Sequence, residues 1–319
     1  MSCKILITGA EGFLGSELRK QLGDKEKLVC FSRRDVANDN YHRFEINSYT
    51  NYSNTLVGIK CVIHCAARVH IMDDVEAEPL EDYREVNVRG TINLAKQAVE
   101  NGVKRFIFVS SIKVNGQSTT GKQAFTVQDA LLPEDPYGVS KAEAEEQLIA
   151  LGKETGLEIV IIRPPLVYGE GVKANFASLM NLVSKGVPLP FGCITNNKRS
   201  LVSVENLVDL IITCIDHPKA VNQVFLVSDD HYVSTSEMVK EMAIALGKPS
   251  WQIPVPAYCY KLVGKLFDKN DVVDRLTGSL QVDISHTKET LGWTPPQTLQ
   301  EGFKKTAEAF LKSKQSSGK

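Results

Sequence analysis

The sequence has no excess of charge of either sign: 37 Lys plus Arg face 38 Asp plus Glu in 319 residues. Bulk attraction to nucleic acid or to an acidic membrane is therefore not expected, although a few local cations suffice for an anionic small molecule. It also lacks any run near the ~20 apolar residues of a membrane span. No charged leader with a cleavable apolar stretch precedes the first strand-like run, so a signal peptide is not expected either. Internal repeats and low-complexity blocks are absent, which excludes a repeat architecture.

Paired cysteine spacing is missing too. The seven cysteines are scattered, several inside apolar runs such as Val29-Cys30-Phe31. This suits reduced, buried thiols of a cytoplasmic protein better than a disulfide framework. Cys61, His64 and Cys65 offer metal-ligating atoms, but on a strand residues 61 and 64 point to opposite faces, and no second Cys pair accompanies them. No metal site is expected.

What is present is an alternation of strand-like and helical patterns. Strands are expected at about 3–8, 27–31, 42–46, 59–66, 104–110 and 157–163, and helices at about 12–22, 78–101 and 137–155. The run Ile159-Val160-Ile161-Ile162 is apolar throughout, as in a strand buried on both faces. The expected fold is α/β: a Rossmann-like, doubly wound parallel sheet with a smaller C-terminal lobe. After Arg163-Pro164-Pro165 the loops become richer in Gly and Pro. The boundary is placed there: 1–170 for a dinucleotide-binding domain, 171–319 for a substrate lobe, with 199–228 returning to the sheet as strand-helix-strand.

The first strand runs into Thr8-Gly9-Ala10-Glu11-Gly12-Phe13-Leu14-Gly15. Glycines at this strand-to-helix turn permit a tight bend, a close backbone approach to a pyrophosphate, and close helix–strand packing, with phosphates meeting helix N-terminal N–H groups. Gly9, Glu11, Gly12, Phe13 and Leu14 are the candidate cofactor residues. At the end of the second strand, an acidic residue would hold the 2′-hydroxyl of NAD and an Arg the 2′-phosphate of NADP. The sequence there is Ser32-Arg33-Arg34-Asp35. Arg33 and Arg34 favour NADP(H), with NAD(H) as the alternative.

A second motif, Tyr137-Gly138-Val139-Ser140-Lys141, places a phenol and an amine one helical turn apart. An ammonium close to a phenol stabilises phenolate, so a Tyr of ordinary pKa ~10 is expected to fall by ~2–3 units and serve as acid/base toward a hydroxyl or ketone. A Ser hydroxyl from Val109-Ser110-Ser111 can steady the same oxygen.

With Cys65-Ala66-Ala67, Asn87-Val88-Arg89-Gly90-Thr91 and Arg163-Pro164 in the same order, the chain resembles the extended short-chain dehydrogenase/reductases, in particular their nucleotide-sugar epimerase, dehydratase and reductase branch. The resemblance implies Ser111, Tyr137 and Lys141 as catalytic residues, with Tyr137 and Lys141 also at the cofactor beside Ala66, Ala67, Asn87 and Pro164. It further implies Asn175, Arg199 and Arg275 at the diphosphate of a UDP-sugar, where guanidinium groups grip phosphate oxygens bidentately.

Arg68 and Lys113 depart from the common pattern; they either face the ligand or serve in ion pairs. The resemblance also implies a homodimer, through the helices at about 78–101 and 137–155, whose apolar stripes comprise Val86, Ile92, Leu94, Ala98 and Ala144, Leu148, Leu151. These stripes could equally pack on the sheet.

Two reactions use the same Ser, Tyr and Lys. The arginine pair favours a 4-keto reductase using exchangeable NADPH, and the chain also resembles the subgroup that reduces a UDP-4-keto-6-deoxy-N-acetylhexosamine to UDP-N-acetylquinovosamine for surface polysaccharide. The alternative is a UDP-glucose or UDP-N-acetylglucosamine 4-epimerase with tightly bound NAD. A third reading, a non-catalytic dinucleotide sensor, fits poorly with retention of Ser111, Tyr137 and Lys141.

Overall fold

Neighbouring residues of each central strand belong to opposite cores, which is the period-2 alternation of a sheet covered on both faces. In a computed structural model describing residues 4–23, 27–38, 40–69, 79–172, 174–268 and 270–317, seven strands form a parallel sheet. They are β1 (Lys4–Thr8), β2 (Lys27–Ser32), β3 (Tyr41–Arg43), β4 (Ile59–His64), β5 (Arg105–Val109), β6 (Glu158–Arg163) and, later in the chain, β9 (Gln223–Leu226). Their order is β3-β2-β1-β4-β5-β6-β9. Ile5, Ile7, Ile63, Ile107 and Ile162 pack with Leu18, Leu207 and Ile211 on one face. Leu6, Val62, Phe106, Phe108 and Ile161 pack with Leu94, Ala98, Ala144 and Leu148 on the other.

The chain leaves β1 toward β2 and β3, then returns to the other side of β1 as β4. At such a reversal the loops diverge and leave a crevice beyond the carboxyl ends of the strands, where ligands of this architecture sit. The segments after β1, β4 and β5 all end there.

The segment expected to return to the sheet divides. β8 (Arg199–Ser203) joins β7 (Leu166–Tyr168) and β10 (Tyr232–Val233) in a separate three-stranded sheet, ordered β10-β8-β7; only β9 reaches the large sheet, beside β6. A third core of Tyr168, Phe176, Met180, Leu201, Met242 and Phe303 fills this region.

The helix expected over 78–101 is three pieces: an α-helix Pro79–Arg84, a π-helical stretch Glu85–Gly90, and an α-helix Thr91–Glu100. A Cβ on Gly90 would meet Asn47 N at 2.8 Å, so the wider turn lies directly against the chain after β3. The stripes that suggested a partner helix are used internally: Leu94, Ala98, Ala144, Leu148 and Leu151 are buried against the sheet, with Val86 and Ile92 packed beside them. They give a homodimer no support. Among the described residues no helix is long and apolar enough to cross a membrane.

Candidate active site at the switch of the sheet

The turn after β1 is built by steric necessity. Gly9 has φ +67°, and a Cβ there would stand 2.9 Å from Ala66 N; a Cβ on Gly15 would stand 2.2 Å from Gly9 O. Gly12, bonded through its N–H to Gly9 O at 2.9 Å, is the N-cap of the helix Phe13–Leu22, and no side chain caps that helix. Beyond Gly9 O at 3.1 Å, a Cβ on Gly12 would meet nothing within 4 Å. An uncapped helix N-terminus behind a bare backbone fits the pyrophosphate of a dinucleotide. Phe13 and Leu14, half-buried, begin that helix.

The loop after β4 is tied down on both sides. Ala66 N donates to Thr8 Oγ1 at 3.1 Å, which ends the strand at His64 instead of 66. Ala66 and Ala67 are half-buried. Asn87, 1% exposed, clamps the next residue: its Oδ1 accepts from Arg68 N at 2.8 Å, and its Nδ2 donates to Arg68 O and to Ser140 Oγ, each at 3.0 Å. The amide of Asn87 is thus spent on holding the loop to the helix that carries Tyr137. The π-helical stretch around it makes that inward placement possible.

His64 is buried between Thr8 Oγ1 and Thr91 Oγ1, at 2.8 and 2.9 Å from its ring nitrogens. Burial, aided by the charge of Lys141, lowers its pKa to about 3 and keeps the ring neutral. This explains the histidine as a structural pillar between strand and helix.

Pro136–Thr155 is the helix of the Tyr-Lys motif. Pro136 is at its first position, Asp135 Oδ1 accepts from Gly138 N at 2.6 Å as N-cap, and Gly156 closes it in the left-handed conformation. Lys141, 1% exposed, donates to Val109 O at 2.9 Å and lies 4.3 Å over the Phe108 ring. Burial lowers its pKa to about 8, against the raising influence of Cys65 and Glu145.

Tyr137 packs edge-on to Tyr83 at 6.2 Å. Its pKa is raised, first by burial, then by Asp135 and Tyr83. This reverses the sequence expectation of a lowered phenol: Lys141 is directed to a carbonyl, and desolvation of the phenolate dominates.

Ser111, two residues beyond β5, is the N-cap of a short 3₁₀ turn, accepting from Lys113 N at 3.3 Å. Pro164 O accepts from Ile112 N at 3.0 Å and holds this turn to the chain after β6. Ser110, adjacent and 3% exposed, leaves its hydroxyl without a hydrogen-bond partner among the described residues. A serine pair in sequence does not by itself reveal which hydroxyl the sheet buries.

Both unusual cations are in ion pairs. Arg68 Nη2 lies 3.4 Å from Asp82 Oδ2, and Lys113 Nζ pairs with Asp135 Oδ2 while standing 5.8 Å over the Tyr137 ring. Lys113 therefore balances the carboxylate that raises Tyr137. Lys113→Met should move the basic ionisation in the pH profile of kcat upward by about half a unit to one unit, since a nearby unbalanced carboxylate disfavours phenolate. A profile that overlays the wild type would remove Lys113 from this role.

In the smaller sheet, Arg199 is half-buried, with Nη1 donating to Arg275 O at 2.8 Å and Gly278 O at 3.3 Å. Its pKa is lowered by burial and by the charge of Arg275, so the two cations are close enough to repel. An anion between them would relieve that repulsion. The side chain of Asn175 lies outside the described residues.

Arg33 and Arg34 are exposed. The hydroxyl of Ser32 donates to Glu11 Oε2 and accepts from Arg34 N at 3.0 Å. A carboxylate thus does reach the end of β2, from the glycine turn instead of from β2 itself.

A doubly wound sheet, a glycine turn at its reversal, and a Tyr-Lys helix beside a serine turn define the chain as an enzyme of the extended short-chain dehydrogenase/reductase class. The NAD dependent epimerase/dehydratase family model matches residues 5–228, and the chain belongs to that family. A UDP-glucose 4-epimerase of Vibrio cholerae is 65% identical over 318 residues, which cover 98% of this chain and 97% of that protein. An N-acetyl-alpha-D-glucosaminyl-diphospho-ditrans,octacis-undecaprenol 4-epimerase of Escherichia coli O157:H7 is 28% identical, over 96% of this chain and 95% of that one. In fold, the UDP-N-acetylglucosamine 4-epimerase of Bacillus cereus superposes with a TM-score of 0.80 at 19% identity, over 98% and 100% of the two chains.

Proposed function

We propose that the protein is a UDP-hexose 4-epimerase that keeps NAD bound through its cycle. The observation that carries this is the 65% identity to the Vibrio cholerae UDP-glucose 4-epimerase along almost the whole of both chains. It favours the epimerase over the 4-keto reductase with NADPH, which rested on Arg33 and Arg34 and on a resemblance to a reductase subgroup. The carboxylate of Glu11 beside Ser32 supports the same change of cofactor.

In this reading the turn Gly9–Leu14 and the uncapped helix end hold the pyrophosphate, and Ala66, Ala67 and Pro164 border the nicotinamide. The bound dinucleotide supplies a hydride acceptor and donor. Tyr137 takes the proton from the sugar O4 and later returns it. An oxidised dinucleotide would supply positive charge there, which would offset the burial and the Asp135 charge that raise the Tyr137 phenol in the protein alone. Ser111 donates to the same oxygen, and Arg199 with Arg275 holds the diphosphate. Asn87 is a positioning residue, keeping the Arg68 loop against the Tyr137 helix. The division of labour follows: residues 1–170 with the β9 part of 199–228 for the dinucleotide, and 171–319, with β8, mainly for the sugar nucleotide.

The test is to denature the purified protein and identify the dinucleotide released. Near-stoichiometric NAD(H) is the expected result. A protein that is empty, and then binds NADPH more tightly than NADH, would return the assignment to the reductase.

A further inference from the structure

At the end of β2 the linear sequence offers Ser32 and two arginines, and the Asp35 that follows is paired to Arg43 Nη1 at 2.9 Å, yet the three-dimensional site contains another acid. Thr8 pairs with Phe31 across β1 and β2, and Ala10 N donates to Phe31 O at 3.3 Å, so the glycine turn is fastened to the carboxyl end of β2. Glu11, the next residue, is exposed, and its Oε2 receives the Ser32 hydroxyl. Ser32 is itself fixed by Arg34 N at 3.0 Å. One carboxylate oxygen is thereby clamped, and the other makes no hydrogen bond to the described residues.

We propose that Glu11, held by Ser32, is the residue that selects NAD(H) over NADP(H), acting in place of the acid that β2 lacks. This rests on the reading that a dinucleotide lies in this crevice. A ribose diol brought to the end of β2 donates to the free oxygen of Glu11. A 2′-phosphate brings about two negative charges to the same place, where it meets a fixed carboxylate. Arg33 and Arg34 are exposed and lessen that repulsion without cancelling it, so the selectivity is finite. The hydrogen bond from Ser32 matters because a free surface glutamate would swing away from a phosphate at little cost.

Purified wild-type, Glu11→Gln and Ser32→Ala proteins are each equilibrated with excess equimolar NAD⁺ and NADP⁺, freed of unbound nucleotide and denatured, and the retained dinucleotides are quantified. Wild type should retain NAD over NADP. Glu11→Gln keeps the shape and removes the charge, and should raise the NADP to NAD ratio by about 10- to 100-fold; Ser32→Ala should raise it by a smaller factor in the same direction. Thermal midpoints check that the variants are folded. A ratio in Glu11→Gln within threefold of wild type overturns the role of Glu11. A wild-type protein that retains NADP over NAD overturns the NAD reading itself, whatever Glu11 does.

Discussion

If the protein is the 4-epimerase proposed, Tyr137→Phe should lower its turnover by about 10²–10⁴-fold, the range for loss of a positioned acid/base, and leave the retained dinucleotide nearly unchanged. The ring packs against Tyr83 and lies under Lys113, so Phe keeps the packing and removes only the hydroxyl. Lys141 stays bonded to Val109 O, an anchor that does not involve the phenol. The measurement is steady-state turnover beside dinucleotide content. Turnover within a few-fold of wild type would take Tyr137 out of the proton transfer. Equal loss of turnover and bound dinucleotide would make it a binding residue instead. A second consequence concerns pH. Because burial and Asp135 hold the phenol high in the protein alone, binding of the oxidised dinucleotide is needed to bring it down. Its basic ionisation should therefore appear at lower pH in the holoenzyme than a titration of dinucleotide-free protein gives, and it should vanish in Tyr137→Phe.

The parts of this site that are legible in the sequence are those encoded locally. Gly9 and Gly15 announce their turn because a Cβ at either would clash with backbone, that of the turn itself or of the loop after β4, and Gly12 completes the spacing. Tyr137 and Lys141 sit on one helix at fixed spacing, and Pro136 and Gly156 mark that helix's ends. The strands of the large sheet are legible for a different reason: burial on both faces leaves uninterrupted apolar runs.

What escapes is set by distant partners. β8 has the composition of a central strand, and nothing in Arg199–Ser203 says that it pairs with β7 instead of β6. The π-helical stretch that carries Asn87 lies, at Gly90, against Asn47 and Ile46, residues far from it in the chain. The arginines after β2 suggested a phosphate because the opposing carboxylate arrives from 21 residues earlier in the chain. Arg68 and Lys113 stayed ambiguous for the same reason: their carboxylates, Asp82 and Asp135, are identified only by the fold.

Glu145→Gln should be the most destabilising of these changes, by about 3–5 kcal/mol, as expected when one partner of a buried ion pair is removed. Glu145 and Arg163 are 0% and 4% exposed. The guanidinium Nε lies 3.0 and 3.1 Å from the two carboxylate oxygens, and Nη2 is 2.5 Å from Oε2. Its remaining nitrogen Nη1 donates to Asn115 Oδ1 at 3.1 Å. Gln leaves that guanidinium charged, out of water and without a counter-ion. A surface pair such as Arg43 with Asp35 would cost little by comparison, since water replaces the lost partner.

The double variant Glu145→Leu with Arg163→Met removes both charges and should recover most of the loss, because two buried charges replaced by apolar groups of similar size are often neutral in stability. Denaturant unfolding of wild type, single and double variants checks this. A single variant within 1 kcal/mol of wild type, or a double variant no more stable than the single, would contradict the assignment. The pair also bears on catalysis: Glu145 is one helical turn from Lys141 and raises its pKa, so removing the carboxylate should drop the lysine further below about 8. The ammonium that assists Tyr137 would then be lost at lower pH, and the single variant should lose activity on the alkaline side earlier than wild type does.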